Sequence, residues 1–322
     1  MKIAFVGKGG SGKSTISSLF IRHLAEQKQR VIAVDADINQ NLAGLIEAEF
    51  VADKALSRES NKAFIRSTLV GNNSRIENAQ VMIKTTPPGN GSHLIEFIDD
   101  DTIVKKYATK FSPTSYFMHV GTYEDDGIGI SCYHTSLSIF ENILSHTPAV
   151  AFDEWVVADM VAGTDAFSGP LHAMFDVLFV VVDPSVESIG VFNQFLKLAT
   201  AAGVEDRVRL IANKVEDDED IAYITNKTGY TPVVAFMYDS SARKQRQRGE
   251  LVVLTNEWRD KLDQVVLEAR QAHLSPDDHL RQLHELHRIF ASQKFTIKKY
   301  GNTLGQIDES FSFEDKEGIR HE

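Results

Sequence analysis

Gly7-Lys8-Gly9-Gly10-Ser11-Gly12-Lys13-Ser14-Thr15 is the stretch that decides the fold. Its spacing, G-x-x-x-x-G-K-[ST], is a phosphate-cradling pattern. It follows the apolar, strand-like run Ile3-Ala4-Phe5-Val6 and precedes a helix-like stretch over 14–27. Glycines let the backbone curl so that successive N–H groups point at one anion. The N-terminus of the following helix faces the same phosphates. On this pattern Gly9, Gly10, Ser11 and Gly12 form the cradle. Lys13 reaches the β- and γ-phosphates, Ser14 ligates a magnesium ion and Thr15 touches the α-phosphate.

Outward from the loop, strand and helix signals alternate as a parallel sheet requires. Strand-like runs occupy 2–6, 31–35, 155–159, 177–183, 208–213 and 232–236. Helical patterns occupy 14–27, 185–202, 217–228 and 240–249. The strands are apolar on both faces, so helices are expected on both sides of the sheet. The expected class is α/β, a doubly wound, mostly parallel sheet. Residues 1–250 read as the phosphate-binding domain, with 43–150 as an irregular insertion carrying short strands at 80–85 and 116–120. Residues 251–322 read as a helical C-terminal extension with an acidic tail at 314–317.

Composition narrows the function classes. A chain of 322 residues can bury one large α/β domain with an appendage. No apolar run approaches the ~18–20 residues that span a bilayer, so no membrane association is expected. The first strand begins at the N-terminus, and no secretory leader is expected. A single cysteine excludes an intrachain disulfide framework and fits a reducing, cytoplasmic setting. A net charge of −11 and a pI near 5.5 argue against a broad nucleic-acid face while leaving a local basic patch open.

Lys8 adds a second lysine to the loop. The run KGGSGKS resembles the deviant Walker A ATPases of the MinD/ParA class. The resemblance implies ATP and Mg²⁺ as ligands and a homodimer formed with ATP, in which Lys8 crosses to the partner's nucleotide. A cation there would offset charge that develops during phosphoryl transfer. The strand over 31–35 runs into Asp35-Ala36-Asp37-Ile38-Asn39-Gln40-Asn41, the place of switch I in that class. Asp37 then corresponds to the residue that positions the hydrolytic water, Asp35 sits near the metal, and Asn41 resembles a switch-I asparagine. The plainer alternative is an aspartate capping a turn after a strand.

Trp155-Val156-Val157-Ala158-Asp159 has the form of a Walker B strand, with Asp159 in the magnesium environment and Gly163 four positions on as the γ-phosphate sensor. Met160 and Ala162-Gly163 look like the switch II of ATPases that insert nickel into carbon monoxide dehydrogenase, although Val161 stands where those have glutamate. Residues 176–183 with Pro184-Ser185 resemble the same subfamily. Asn213-Lys214 takes the base-reading position, since an amide can pair with the adenine edge. Tyr238-Asp239 resembles the last loop on the nucleotide side. Lys8, Lys13 and Asp37 are the expected catalytic set.

Cys132-Tyr133-His134 stands where the nickel-insertion ATPases carry Cys-x-Cys. Cysteine and histidine both suit a Zn²⁺ or Ni²⁺ site, and two copies across a two-fold axis would supply Cys₂His₂. A buried thiol and a helix-capping histidine are the alternative reading. Arg243-Lys244-Gln245-Arg246-Gln247-Arg248 is a basic run, either a solvated helix face or a contact for nonspecific DNA. His279, His284 and His287 fall on one helical segment. Residues 256–273 are amphipathic and suited to packing on the core or a partner. The resemblance implies an ATP-driven dimer switch serving the maturation or metal-loading of an unknown client protein, with a ParA-like positioning ATPase as the alternative.

Overall fold

The computed structural model describes residues 1–122, 133–149, 151–167 and 169–313, with side chains from 136 onward in the second stretch. Eight strands form one sheet: β1 (Lys2–Gly7), β2 (Arg30–Ala36), β3 (Thr109–Ser112), β4 (Ser115–His119), β5 (Glu154–Met160), β6 (Val177–Val182), β7 (Val208–Val215) and β8 (Val234–Met237). Their order is β3-β4-β2-β5-β1-β6-β7-β8. Neighbours run parallel except β3 and β4, an antiparallel pair at one edge.

The six strands read from apolar runs all form. β1, β5 and β6 are buried at every position. The two-residue period sends Ile3 and Phe5 into one core and Ala4 and Val6 into the other. The first core is filled by Ile16, Leu19 and Phe20 of the helix Lys13–Glu26 and by Leu262 and Val265 of the helix Asn256–Gln271. The second takes Ile65 of Glu59–Val70, Phe140 and Ile143 of Tyr133–Ser145, and Phe192 and Phe195 of Val186–Ala201. The sheet is therefore covered on both faces, as expected.

Two departures from the sequence reading concern residues 43–150. The strand expected over 80–85 does not form. Asn78 Oδ1 accepts from the N–H groups of Gln80 and Val81 and shapes a 3₁₀ turn, Ala79–Val81, while the Ile83 N–H donates to Thr86 Oγ1 at 2.8 Å. These local side-chain bonds take the donors a ladder would need. The second departure is β3, which was not anticipated. It pairs with β4, and β4 in turn joins β2 from Val31↔Ser115 to Asp35↔His119.

The amphipathic pattern of 256–273 becomes the helix Asn256–Gln271, which packs on the core. Trp258 stacks on Phe236 of β8 with ring centroids 4.9 Å apart. The next helix, Pro276–Ala291, opens with Ser275 as its cap, accepting from the Asp278 N–H, and with proline in its first turn. Asp176 ties this extension to the sheet. Its Oδ1 accepts from the Leu274 N–H at 2.7 Å and lies 3.2 Å from both His273 and His279, and its Oδ2 accepts from the Lys2 N–H. Burial pushes the Asp176 carboxyl up, and the bonds to the two histidines outweigh that and hold it well below the usual range. His287 is likewise structural, with Nε2 donating to the Thr303 carbonyl at 2.9 Å.

Candidate nucleotide site

The polar residues singled out by sequence gather beyond the C-terminal ends of β1, β2, β5, β7 and β8, where open α/β sheets hold ligands. β1 delivers the phosphate loop. A Cβ on Gly7 would lie 2.6 Å from the Val181 carbonyl oxygen, and one on Gly12, at φ +96°, would lie 2.1 Å from Asn213 Nδ2. Both positions need glycine for close approach and backbone angle. Asn213 Nδ2 donates to the Ser11 carbonyl at 2.7 Å, and the Lys214 ammonium donates to the Gly10 carbonyl. The pair expected beside a base thus braces the loop. The N-cap of the helix Lys13–Glu26 is Gly12, which offers no side chain to the first N–H groups and leaves them to an anion.

Lys13 is the electrostatic centre. Its ammonium lies 2.7 Å from Asp159 Oδ1 and 3.1 Å from Asp37 Oδ2, with all three groups buried. Burial pushes the lysine pKa down, and Asp159 and Asp37 together outweigh it, so the net shift is upward. Asp37 Oδ1 also accepts from the Asn39 N–H and side-chain amide at 3.0 and 2.9 Å. Asp35 is differently placed. Its oxygens accept from the Asp37 and Leu42 N–H groups at 3.1 and 2.8 Å, fixing the turn after β2. Burial and the neighbouring Asp159 push its pKa up to about 7.

Among the described residues Asp159 Oδ2 is buried without a hydrogen-bond partner, and Ser14 Oγ lies 3.4 Å from the Lys13 ammonium. An orphaned carboxylate oxygen and a hydroxyl around the same lysine suit Mg²⁺, which takes one or two protein oxygens and keeps several waters. Among the described residues no group of three His, Cys, Asp or Glu side chains gathers as a metal cage. Cys132 and the side chain of His134 lie outside the described residues, as does the acidic tail.

The loop opens into a cavity of about 640 Å³. Lys8, Gly9, Gly10, Thr15, Asp37 and Asn41 line it together with Tyr238 and Asp239. Asp239 Oδ1 caps the helix Ser240–Gln247 by accepting from the Ser241 and Ala242 N–H groups. Gly163 is not among the lining residues; its N–H donates to the Gly7 carbonyl at 2.9 Å. Met237, Arg243, Arg246 and Trp258 also line the cavity, and sequence reading assigned none of them to the site. For the two arginines the signal was positional: the basic run lies in the helix that follows β8, whose end is on the ligand side.

The profile of the CobQ/CobB/MinD/ParA nucleotide-binding domain matches residues 3–252. The chain belongs to this family. It is accordingly a MinD/ParA-type P-loop ATPase with ATP and Mg²⁺ as its general ligands. The carbon monoxide dehydrogenase accessory protein CooC of Rhodospirillum rubrum is 28% identical over 252 residues, 77% of this chain and 88% of that protein. An ATP-binding protein of Methanocaldococcus jannaschii is 27% identical over 268 residues, 82% and 96% of the two chains. The ParA family ATPase from Chlorobium tepidum TLS shares the fold, with a TM-score of 0.59 at 16% identity over 83% of this chain and 98% of that one.

Proposed function

We propose that this MinD/ParA-family ATPase is a Mg²⁺-dependent switch that closes as a homodimer on ATP and drives the maturation or metal-loading cycle of a client protein. One observation carries the reading: the Lys13 ammonium is shared between Asp37, just after β2, and Asp159 of β5, two buried carboxylates. Phosphate oxygens compete for the same cation. When Lys13 turns to the β- and γ-phosphates, Asp37 is released to orient the attacking water. Asp159 Oδ2 and Ser14 would hold the magnesium ion, which supplies charge neutralisation at the phosphates. Asn41, Gly163, Tyr238 and Asp239 would complete the phosphate and base contacts.

Lys8 supports the dimer. Its side chain is half-buried at the cavity rim, and among the described residues its ammonium has no ion pair or hydrogen bond. A second copy facing the cavity would supply it with an anion. The client role rests on likeness to the carbon monoxide dehydrogenase accessory protein, and a cytoplasmic setting fits such a role. No helix among the described residues is long and apolar enough to cross a membrane.

Light scattering with and without Mg²⁺-ATP tests this. The wild type should double in mass, Asp37→Ala should stay doubled without turnover, and Lys8→Ala should bind ATP and remain single. A wild type that stays monomeric overturns the dimer. Titration of Zn²⁺ or Ni²⁺ into the chelator-treated, ATP-bound protein tests metal-loading, with loss on Cys132→Ser or His134→Ala expected. The second reading, a ParA-like positioning ATPase, draws on the exposed cations of the helix Ser240–Gln247. ATP-dependent DNA binding that weakens steeply with salt would favour it.

A further inference from the structure

His119 ends β4, in register with Asp35 of β2. Its ring is buried between Phe50, with centroids 4.6 Å apart, and Phe117, stacked at 6.0 Å. Nε2 lies 3.0 Å from the Val51 carbonyl oxygen and Nδ1 lies 3.0 Å from Oε1 of the Gln40 side-chain amide. Gln40 belongs to the turn after β2, one residue before Asn41 and three after Asp37. It holds a left-handed backbone angle, φ +49°, which a long side chain adopts only when something secures it.

The hydrogen-bond parity of this contact is informative. A carbonyl oxygen only accepts, so Nε2 carries the proton that goes to Val51. In a neutral ring Nδ1 is then a bare acceptor. Burial favours the neutral ring, pushing the His119 pKa down, and no carboxylate faces it among the described residues. A bare Nδ1 cannot pair with an amide oxygen, and a half-turn of the amide exchanges Oε1 for the NH₂ group at the same place; the ring partner selects that orientation. Gln40 is the donor and His119 the acceptor.

We infer that His119 is a positioning residue for hydrolysis: its ring, clamped by two aromatic side chains, accepts a hydrogen bond from the Gln40 amide and holds the 37–41 turn, and with it Asp37, against the phosphate loop. The inference deepens the proposed function and rests on Asp37 as the water-positioning group. The same ring reaches the segment after that turn through Val51 and Phe50. One side chain at a strand end therefore fixes both flanks of the switch. Gln40 lies outside the nucleotide cavity, so the latch acts on turnover and leaves ATP affinity alone.

Single-turnover and steady-state ATP hydrolysis by the full chain tests it. Gln40→Met keeps length and removes the donor. It should lower kcat about fivefold, the scale of one neutral hydrogen bond, with the ATP Kd within about twofold of wild type. His119→Leu should fall similarly, and the double variant should fall no further than either single one, since both remove one bond. His119→Asn, which keeps an acceptor near the place of Nδ1, should recover the rate to within about twofold. The ¹⁵N shifts of His119 should show a neutral ring protonated at Nε2, with Nδ1 moving in Gln40→Met. Because Gln40 is half-buried at the surface, that variant serves if His119→Leu fails to fold. Gln40→Met turning over at or above the wild-type rate while Asp37→Ala is inactive overturns the latch alone. Asp37→Ala turning over normally overturns the underlying reading. Additive losses in the double variant, or an imidazolium at neutral pH, also overturn the latch.

Discussion

Lys13 shows how much one side chain decides here. It sits where two buried carboxylates would otherwise face each other uncompensated. Lys13→Ala should raise the ATP Kd at least tenfold, because a charge-assisted hydrogen bond is worth ~1.5–3 kcal/mol. The ligand-free protein should also lose stability, by about 3 kcal/mol, since breaking a buried ion pair strands its partners. Adding Asp37→Asn should recover part of that stability while leaving ATP binding lost. Calorimetric titration and urea unfolding separate the two effects; unchanged unfolding would mean that solvent, and not Lys13, compensates the carboxylates. The loop itself was legible because its residues are contiguous and every step is local. Asp37 and Asp159 were legible as strand ends. Arg246 and Trp258 were not, because only the tertiary fold brings the helices Ser240–Gln247 and Asn256–Gln271 to the cavity, and a basic run reads equally well as a solvated face.

At the scale of elements, legibility followed burial. β1, β5 and β6 are apolar on both faces and stand out in the sequence. β3, Thr109-Lys110-Phe111-Ser112, carries one large apolar residue and lies at an edge, so nothing in its pattern separates it from a loop. Residues 80–85 erred the other way. Met82 and Ile83 are buried, which imitates a strand, while Asn78 and Thr86 capture the backbone donors. The helix Asn256–Gln271 was read as amphipathic, and its packing surface is the first core. Leu262, fully buried there, tests how far the extension is integral. Leu262→Ala should cost about 2–5 kcal/mol, the range for a core truncation, with a single cooperative transition. A loss below about 0.5 kcal/mol would make this helix a peripheral appendage.

For the whole molecule, buried ionisable groups set an acid limit. His146 is fully buried in the helix-end turn after Ser145. Nδ1 donates to the Asn142 carbonyl at 3.0 Å, and Nε2 has no partner among the described residues. Burial pushes its pKa from 6.5 down to about 3. Below pH 6.5 the unfolded chain takes up a proton that the folded one refuses until about pH 3, so this contribution to stability is lost as pH falls through that window. Asp35 has the opposite sign. Its pKa of about 7 means the folded chain holds a proton between roughly pH 4 and 7 that the unfolded chain releases, and acidification there adds stability. The two windows overlap, and each masks the other in the wild type. His146→Asn keeps a donor for Asn142 and removes the titration. It should improve stability at pH 4.5 relative to pH 7 by about 2 kcal/mol over the wild-type difference, two pH units below the free histidine value. Urea unfolding of both proteins at the two pH values gives the comparison. Equal acid losses would locate the acid limit in other buried groups, with His279 and its partner Asp176 at the base of the C-terminal extension the next pair to vary.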